Sequence, residues 1–407
     1  MKTVLIISEY NPFHKGHQYQ INDIRKAFGE DTAIIALMSG NYTQRGDVAV
    51  MDKYIRSECS VLGGVNLVLQ LPFPYSASSA EFFARAGVEI ANAIGIVDIL
   101  AFGSESGDIS KLYEIAQNML SSKFISALNA YQKSEEAKNL GHPKIYESVY
   151  KNLYNDSLPS YFFAPNNILA IEYIKALLLT KSKIIPYTTK RIGADYNAEK
   201  IEDTDYQSAS AIRKEFLSNP NSALQFLPDS SKNTIISALN SNLFPCDTDR
   251  LSSAVLSFLC LNKPDAKCDI HDADGGLYNR LIASSFKATS ISTLTKLAST
   301  KKYTNARIKR AIWYSYFGVT SSDVRTAPRY TQVLAMDCIG QALLKRIKKT
   351  TGFPVITKPS ATDALDEVGL RQKKLSDNAD FLFQLSKPTP FPADTVLKAK
   401  PFVKKDE

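Results

Sequence analysis

The chain of 407 residues is poor in histidine and cysteine and has no long uncharged apolar run. No stretch approaches the roughly eighteen apolar residues of a membrane-spanning helix, so we expect no membrane partner. The first residues lack the apolar core and cleavage site of a signal peptide, which favours a cytoplasmic protein. The cysteines show neither a CxxC pair nor metal-ligand spacing, so we expect buried, reduced thiols at Cys59, Cys246, Cys260, Cys268 and Cys338.

Positive charge is unevenly distributed along the chain. The net charge is +8 overall, −1 over residues 1–214 and +9 over residues 215–407. The window 301–349 holds eleven Lys and Arg residues against Asp323 and Asp337. Such a basic platform favours a nucleic-acid partner for the C-terminal half. Composition alone leaves a merely soluble basic surface equally open.

The N-terminal half alternates short apolar strands with helices, which indicates a Rossmann-like, doubly wound parallel sheet in an α/β fold. In such a fold, ligands bind at the carboxyl ends of the strands, near the point where strand order reverses. We predict strands over residues 2–8, 32–40, 66–72, 98–105 and 183–190, and helices near 52–63, 79–95, 108–139 and 164–180.

The second half has a different pattern. Residues 217–233, rich in Pro, Asn and Ser, read as a boundary between a domain over 1–217 and a region over 234–407. Residues 234–318 have a helical pattern. From 328 onward we predict strand, helix and strand in a small α/β appendage, followed by a poorly packed tail from 387.

The most informative run is Glu9–His17, which directly follows the first strand. His14 and His17 flank Gly16 where that strand turns into a helix, and the helix N-terminus suits a phosphate. Gly16 lets the backbone approach the phosphate closely, since no Cβ intervenes. Both imidazoles are protonatable donors for phosphoryl oxygens whose charge grows during in-line displacement. We therefore predict that they are catalytic groups acting at the α-phosphate of a nucleoside triphosphate.

A second candidate phosphate site is the run from Ser208 to Arg213, which opens another helix. Ser208 and Ser210 can cap that helix and bind phosphate. Arg213, one turn further, can reach a β- or γ-phosphate as pyrophosphate leaves, and we predict a catalytic role for it. Alone this run favours plain helix capping. With the His14–His17 motif it resembles the HxGH nucleotidyltransferase superfamily, which attacks the α-phosphate of ATP and expels pyrophosphate.

Further motifs follow in one order, and together they resemble the tRNA(Met) cytidine acetate ligase family over nearly the whole chain. The resemblance implies ATP-dependent activation of acetate to acetyl-adenylate, then transfer of the acetyl group to N4 of the wobble cytidine of elongator tRNA(Met). Mg²⁺ is expected on the ATP substrate, although no carboxylate pair stands out as its ligand. The motifs lie at residues 9–21, 39–58, 102–106, 165–177, 190–197, 302–310 and 327–334.

The resemblance also implies a set of ATP contacts. Gly103 ends the fourth strand, where a glycine allows a nucleoside to lie against the backbone. Asn166 could read an adenine edge, but it also suits an ordinary helix start, and Arg191 would otherwise be a surface charge. The implied contacts are Ile7, Ser8, Glu9, Tyr10, Asn11, Pro12, Phe13, His14, Lys15, Gly16, His17, Gln18, Tyr19, Gln20, Gly103, Asn166 and Arg191, to which the serine motif adds Ser208 and Ser210.

The loop over residues 40–47 leaves the second strand beside the expected nucleotide. It could hold acetate, with Arg45 as the carboxylate partner, or it could be a solvent-exposed loop. Asp52, Lys53 and Arg56 begin the next helix, where we expect salt-bridged surface positions. His271 lies among aspartates, but its spacing fits no metal-ligand pattern, so we expect no metal there.

The basic stretch over residues 301–349 carries the prediction of RNA binding. Phosphate contacts from such a platform give affinity without sequence reading. The target cytidine must still be splayed out of its loop toward the adenylate. The predicted tRNA contacts are Lys301, Lys302, Arg307, Lys309, Arg310, Arg329, Lys345, Arg346, Lys348 and Lys349.

Two other functions stay open at this stage. One is a nucleotidyltransferase that adenylylates a small phosphorylated metabolite, although such a substrate needs no basic platform. The other is a non-catalytic RNA-binding protein with a vestigial nucleotide site, against which the intact His14, Gly16, His17 and Arg213 argue.

Overall fold

The fold is built on one mixed sheet, seen in a computed structural model that describes residues 1–154, 157–192, 206–261, 269–358 and 361–405. Within these ranges the strand order is β5-β4-β1-β2-β3-β6-β7, with β8 also paired to β6. The strands β1 to β5 are parallel, as predicted. The strands are β1 (Thr3–Ser8), β2 (Ala33–Ser39), β3 (Leu67–Leu71), β4 (Ile99–Ser104), β5 (Ile185–Lys190), β6 (Thr331–Met336), β7 (Val355–Ile356) and β8 (Phe402–Val403).

Helices follow the strands in the N-terminal half and dominate the stretch before β6, which confirms both predicted patterns. They are α1 (Lys15–Phe28), α2 (Lys53–Leu62), α3 (Ala80–Ala93), α4 (Ile109–Met119), α5 (Ser122–Tyr131), α6 (His142–Tyr154), α7 (Pro165–Leu179), α8 (Ala209–Ser218), α9 (Pro220–Ala223), α10 (Asp229–Asn240), α11 (Ser252–Leu261), α12 (Leu277–Ser285), α13 (Ile291–Ala298), α14 (Asn305–Phe317), α15 (Ser321–Arg325), α16 (Cys338–Thr350), α17 (Glu367–Phe383) and α18 (Thr395–Lys398).

Both faces of the sheet are covered, which explains why β1 is apolar at every position from Val4 to Ile7 rather than alternating. Val4 and Ile6 face a core shared with α1, α2 and the helices of the second half. Leu5 and Ile7 face a second core built by α3, α4, α7 and α16. The helical second half therefore packs directly against the sheet on the α1 side.

The C-terminal strands join the N-terminal sheet instead of standing apart as an appendage. The strand β6 pairs antiparallel with β3, and β7 and β8 pair with β6. Without β6, the edge of the apolar strand β3 would expose unpaired backbone groups, so this pairing covers a costly edge. The tail is more ordered than expected, because it supplies β8 and buries Lys387 and Val396.

Two smaller features are the segment predicted as a boundary and the cysteines. The segment over residues 217–233 contains α9 and the start of α10, and Leu227 within it is fully buried. Cys59, Cys246, Cys260 and Cys338 form no disulfide bond. Cys59 and Cys246 are buried as expected, whereas Cys260 is half-buried and Cys338, in the first turn of α16, is exposed. Cys268 lies outside the described residues. In the part of the chain that the structure describes, no helix is both long and apolar enough to cross a membrane.

Candidate active site

A pocket opens at the carboxyl ends of β1 and β4, the neighbouring strands at which strand order reverses. Most of the predicted nucleotide contacts meet there. Aromatic and apolar side chains that were not among the predicted contacts add an adjoining wall, namely Phe83, Phe102, Leu169 and Tyr173. The predicted residues in its lining are Ile7, Ser8, Glu9, Tyr10, Asn11, His14, His17, Gln20, Gly103, Asn166, Arg191, Ser210 and Arg213.

The turn between β1 and α1 is held from both sides. Tyr10 adopts a left-handed backbone conformation with φ 44°, which is uncommon for an aromatic residue, and its side chain is buried. The side-chain oxygen of Asn11 accepts from the Val50 amide at 2.8 Å, and its carbonyl accepts from Arg213 at 2.9 Å. These bonds present His14 at the start of α1.

His14 and His17 form a reciprocal cap at the N-terminus of α1. The Nδ1 atom of His14 accepts from the Gly16 amide at 3.0 Å, and the Nδ1 atom of His17 accepts from the His14 amide at 3.2 Å. A backbone N–H can only donate, so each neutral ring carries its proton on Nε2. The two rings lie 3.8 Å apart, and each offers one N–H donor to the pocket. A Cβ on Gly16 would lie 2.9 Å from the His14 ring, so glycine also gives this ring room.

Both histidines are neutral donors at pH 7, not cations. Burial, together with the nearby Arg191 and Arg213, lowers the pKa of His14 to about 3. Burial, His14 and Arg191 likewise hold the pKa of His17 well below its usual value. The positive charge of the pocket therefore comes from its arginines.

The low pKa of His14 predicts that the fold loses stability in mild acid. Unfolded His14 takes up a proton near pH 6.5 and the folded side chain does not, so its contribution is complete above pH 6.5 and is lost as pH falls toward 3. His14→Asn keeps a capping side chain. We expect it to reduce the drop in unfolding free energy between pH 7 and pH 5 by about 2 kcal/mol, measured by urea titration. An unchanged drop would contradict the assignment.

The serine motif meets the histidine turn as predicted. Ser208 caps α8 by accepting from the Ala211 amide at 3.0 Å, which leaves Ser210 and Arg213 to face the pocket. The two terminal nitrogens of the Arg213 guanidinium donate to the Asn11 carbonyl and to the Ser210 hydroxyl, each at 2.9 Å. The guanidinium is thus oriented by residues of both predicted phosphate sites.

Asn166 and Gly103 line the pocket from the β4 side, and Glu105 positions Asn166. One Glu105 carboxylate oxygen accepts from the backbone and side-chain N–H groups of Asn166 at 3.1 and 2.8 Å. The other accepts from the Asn167 amide at 2.7 Å. Glu105 therefore caps α7, a role that its place in the motif 102–106 did not reveal. Arg191 follows β5 and lines the same pocket, and its backbone amide donates to the Ser104 carbonyl. Residues 193–197 of its motif lie outside the described residues.

The loop over residues 40–47 forms one wall of the pocket, through Thr43, Gln44, Arg45 and Asp47. The Gln44 amide donates to the Glu9 carboxylate at 2.8 Å, which ties this loop to the β1 turn. Gly46 has φ 82°, and a Cβ there would lie 2.7 Å from the Lys309 side chain. The loop is therefore closely packed between the pocket and α14.

The expectation that Asp52, Lys53 and Arg56 are surface residues is wrong, since their exposures are 9%, 2% and 1%. Arg56 donates to the Glu9 carbonyl at 2.5 Å and to the carbonyls of Ser39 and Gly40. It thus binds backbone oxygens just past the ends of β1 and β2. Burial lowers its pKa to about 10, so it stays cationic at pH 7.

Lys53 joins the loop to α17. Its ammonium donates to Asp380 at 2.5 Å and to Gln70 at 2.9 Å. The Asn41 side chain donates to the other Asp380 oxygen at 2.8 Å and accepts from the Lys53 amide. Burial alone would lower the pKa of Lys53, but Asp380 holds it above its usual value.

The other predicted ATP contacts lie outside the lining of the main pocket. Phe13 is buried beneath the turn, and Gln18 donates to the Gly63 carbonyl at 2.9 Å. Gly16 and Tyr19 line a small adjoining pocket that shares His14 and His17 with the main one. Since helical side chains rotate by about 100° per residue, α1 cannot present all of its residues to one pocket. The predicted contacts outside the lining of the main pocket are Pro12, Phe13, Lys15, Gly16, Gln18, Tyr19 and Ser208.

The predicted tRNA contacts fall into separate places. Lys302, Arg307 and Arg310 line a second cavity beside the loop over residues 40–47. Lys301, the neighbour of Lys302 in sequence, is exposed, and Lys309 pairs with Asp47 at 2.5 Å.

The remaining basic residues do not join that group. Arg329 is exposed and lies 3.8 Å from Asp366. The helix α16 starts at the amino end of β3, where the Asp337 amide donates to the Asn66 carbonyl, and Arg346 lies 3.4 Å from the Thr3 hydroxyl at the start of β1. The α16 cations therefore lie at the amino ends of the strands, and the pocket lies at the carboxyl ends. These cations are Lys345, Arg346, Lys348 and Lys349, all exposed.

No group of three metal-ligating side chains occurs among the described residues. His271 packs instead against Phe82 and Tyr314, with ring centroids 5.3 and 5.5 Å away, and Asp265 of its acidic neighbourhood is outside the described ranges. Mg²⁺ would enter with ATP as part of the substrate, and Glu9 and Asp47 are the carboxylates in the pocket lining.

The chain belongs to a known class of enzymes. The sequence model of the HIGH Nucleotidyl Transferase family matches residues 1–393. Two solved structures resemble the whole chain at 27% identity. Thermotoga maritima TmcAL bound with alpha-thio ATP gives a TM-score of 0.89 with 100% of each chain covered, and the apo form gives 0.91 with 99% of each.

Curated relatives narrow the class further. The tRNA(Met) cytidine acetate ligase of Acetivibrio thermocellus is 34% identical over 373 residues, covering 88% of this chain and 89% of the relative. That of Clostridium perfringens is 32% identical over 380 residues, covering 90% and 92%. The chain belongs to the tRNA(Met) cytidine acetate ligase family, in agreement with the resemblance of its motifs.

Proposed function

We propose that this chain is an ATP-dependent tRNA acetate ligase that acetylates N4 of the wobble cytidine of elongator tRNA(Met). The observation that carries the proposal is the meeting of two tautomer-fixed histidines with Arg213 at the carboxyl end of β1. Neutral Nε2–H donors beside arginines suit a phosphate that gains charge as it is attacked. Family membership supplies the carboxylate and the acceptor.

In the first step, an acetate oxygen attacks the α-phosphorus of ATP. The new P–O bond forms as the bond to the bridging oxygen of pyrophosphate breaks, and pyrophosphate leaves with that electron pair. His14 and His17 donate to the α-phosphate oxygens, while Arg213 and Arg191 face the departing charge. The product is acetyl-adenylate.

In the second step, the cytidine amine attacks the acetyl carbonyl carbon. The C–N bond forms, the bond from that carbon to the AMP oxygen breaks, and AMP leaves with the electron pair. The surplus amine proton is released to solvent. Because the mixed anhydride is already activated, the chain mainly has to position the two reactants.

Acetate is assigned to the wall formed by the loop over residues 40–47. Arg45 lines the pocket and can pair with a carboxylate. The ties from this loop to Glu9 and Asp380 support it as a pre-organised wall.

The test is ATP–pyrophosphate exchange with and without acetate, followed by transfer of labelled acetate to bulk tRNA. We expect exchange only with acetate, and label in tRNA. Exchange that needs a phosphorylated metabolite in place of acetate would instead support a metabolite adenylyltransferase. Absence of any exchange, with tRNA binding intact, would support a vestigial nucleotide site.

We further propose that the basic residues beside the second cavity contact the tRNA around its anticodon. The α16 cations lie at the opposite ends of the strands from the pocket, and a six-residue strand is about 20 Å long. Lys301→Ala with Lys302→Ala should lower the slope of log affinity against log salt by about 0.7 to 0.9 per lost phosphate contact, measured with a short anticodon stem-loop RNA. The matched pair Lys348→Ala with Lys349→Ala should leave that slope nearly unchanged. Equal reductions would contradict this placement.

A further inference from the structure

A second cavity, of about 640 Å³, lies between α7 and the helical second half. Its volume is within the range of about 300–1,000 Å³ that suits a nucleotide-sized ligand. Three of the residues predicted to bind tRNA line it, which connects it to the basic platform. These residues are Lys302, Arg307 and Arg310.

The second cavity adjoins the nucleotide pocket. Gln44, Arg45 and Leu169 line both, so these side chains form the boundary between them. An acyl group held beside Arg45 would lie at the boundary between the two cavities. A group entering the second cavity from the basic surface would therefore approach the adenylate across these shared side chains, whereas His14 and His17 line the nucleotide pocket and not the second cavity.

One wall of the cavity is apolar. It is built by Phe163, Ile168 and Ile171 at and near the start of α7, with buried Met119 and the ring of Tyr146 beside them. Apolar surfaces that include aromatic side chains, here Phe163 and Tyr146, accept the face of a nucleobase.

The rest of the cavity lining is polar but balanced in charge. Five cationic and five acidic side chains line the cavity. Arg310 pairs with Asp272 at 2.6 Å, and Arg307 pairs with Asp274. On the α7 side, Glu172 pairs with Lys175 at 2.8 Å. A bare phosphate would gain little in such a balanced site, whereas a base edge that carries both donors and acceptors finds partners of both kinds.

Cytosine has such an edge, with its amine as a donor beside two acceptors. Carboxylates accept well from the cytosine amine, and guanidinium groups donate to ring acceptors. The rim supplies exposed Lys302 and Arg325 for the flanking phosphates. Apolar wall, mixed polar wall and basic rim together match a nucleotide extruded from a single-stranded loop.

We propose that this second cavity is the acceptor site, which takes the splayed-out wobble cytosine and presents its amine to the acetyl-adenylate across Arg45 and Leu169. The assignment rests on the proposed function, since it names where the second substrate of that reaction binds.

The test fills the cavity without touching the nucleotide pocket. Ile168 is half-buried and lines only the second cavity, so Ile168→Trp should lower acetyl transfer to tRNA by about 100-fold while acetate-dependent ATP–pyrophosphate exchange persists. Persisting exchange also shows that the variant folds. The matched control is Leu179→Trp, at the exposed end of the same helix, which should leave both activities unchanged.

A second measurement follows the base directly. An anticodon stem-loop RNA carrying the fluorescent cytidine analogue pyrrolo-cytidine at the wobble position should change emission on binding to the wild-type protein. With Ile168→Trp the RNA should still bind, but the change in emission should be lost.

The outcomes separate the two proposals. Wild-type protein without acetate-dependent exchange would overturn the proposed function itself. Normal exchange together with normal transfer in Ile168→Trp would overturn the acceptor site alone. An unchanged emission response in that variant would also overturn it, because the base would then bind elsewhere. A small metabolite that binds the cavity and is not displaced by the stem-loop RNA would identify a different occupant.

Discussion

Replacing His17 with alanine should lower acetate-dependent ATP–pyrophosphate exchange by about 100- to 1,000-fold and leave tRNA affinity nearly unchanged. The Nδ1 atom of His17 is bound to the His14 amide, so the lost group is the Nε2–H donor that faces the pocket. A donor aimed at charge that develops during the reaction is worth more to the rate than to ground-state binding. Exchange rates and filter-binding affinities of the same preparation measure the two effects.

A control variant separates the donor from the cap. His17→Ala also removes an acceptor from the start of α1, at a cost of about 1 kcal/mol in stability. Glutamine at this position can accept from the same amide as part of a capping box. His17→Gln should therefore recover the stability but not the exchange rate. Full recovery of exchange by His17→Gln, or equal losses of exchange and tRNA affinity in His17→Ala, would contradict this role.

Replacing Lys53 with methionine should lower the free energy of unfolding by about 3–5 kcal/mol, because it leaves the buried Asp380 carboxylate without its cation. Lys53 and Asp380 are only 2% and 4% exposed. Desolvation makes an unpaired charge at this depth far more costly than a broken pair at the surface. Urea unfolding at pH 7 measures the change.

The double variant Lys53→Met with Asp380→Asn should recover a large part of that loss, since it removes both charges and keeps an acceptor for Asn41. Lys398→Met, which breaks the exposed pair with Asp394, should cost less than about 1 kcal/mol. Near-equal costs for Lys53→Met and Lys398→Met would show that burial does not control the energy of the central pair. Variants that lose stability at this pair should also lose exchange activity, because Asn41 anchors the loop that forms one wall of the pocket.

Local sequence was enough to predict the central part of the fold and of the site. The strand–turn–helix from Thr3 to Phe28 follows from an apolar run, a turn and a capped amphipathic helix, all of which are encoded by neighbouring residues. The same reasoning located Ser208 and Arg213 at the start of α8. Motif order along the chain was enough to indicate the family.

The states of those residues could not be predicted in the same way. The two histidines had been expected as protonatable donors, whereas their burial beside Arg191 and Arg213 makes them neutral ones. Lys53 and Arg56 had been expected at the surface because their helix start is polar. Their partners, Asp380 in α17 and the backbone past β1 and β2, carry no signal near them in the sequence.

The sequence by itself therefore determined the alternating strands and helices, the turn that carries His14 and His17, the uneven charge and the family. Only the tertiary structure decided that β6 to β8 extend the N-terminal sheet and that the basic residues divide between the two ends of its strands. It also decided that a second cavity adjoins the main pocket. The physical reason is that backbone preferences and caps depend on residues a few positions apart. Burial, charge pairing and cavity walls depend on residues that meet only when distant segments pack, as Lys53 and Asp380 do across 327 positions.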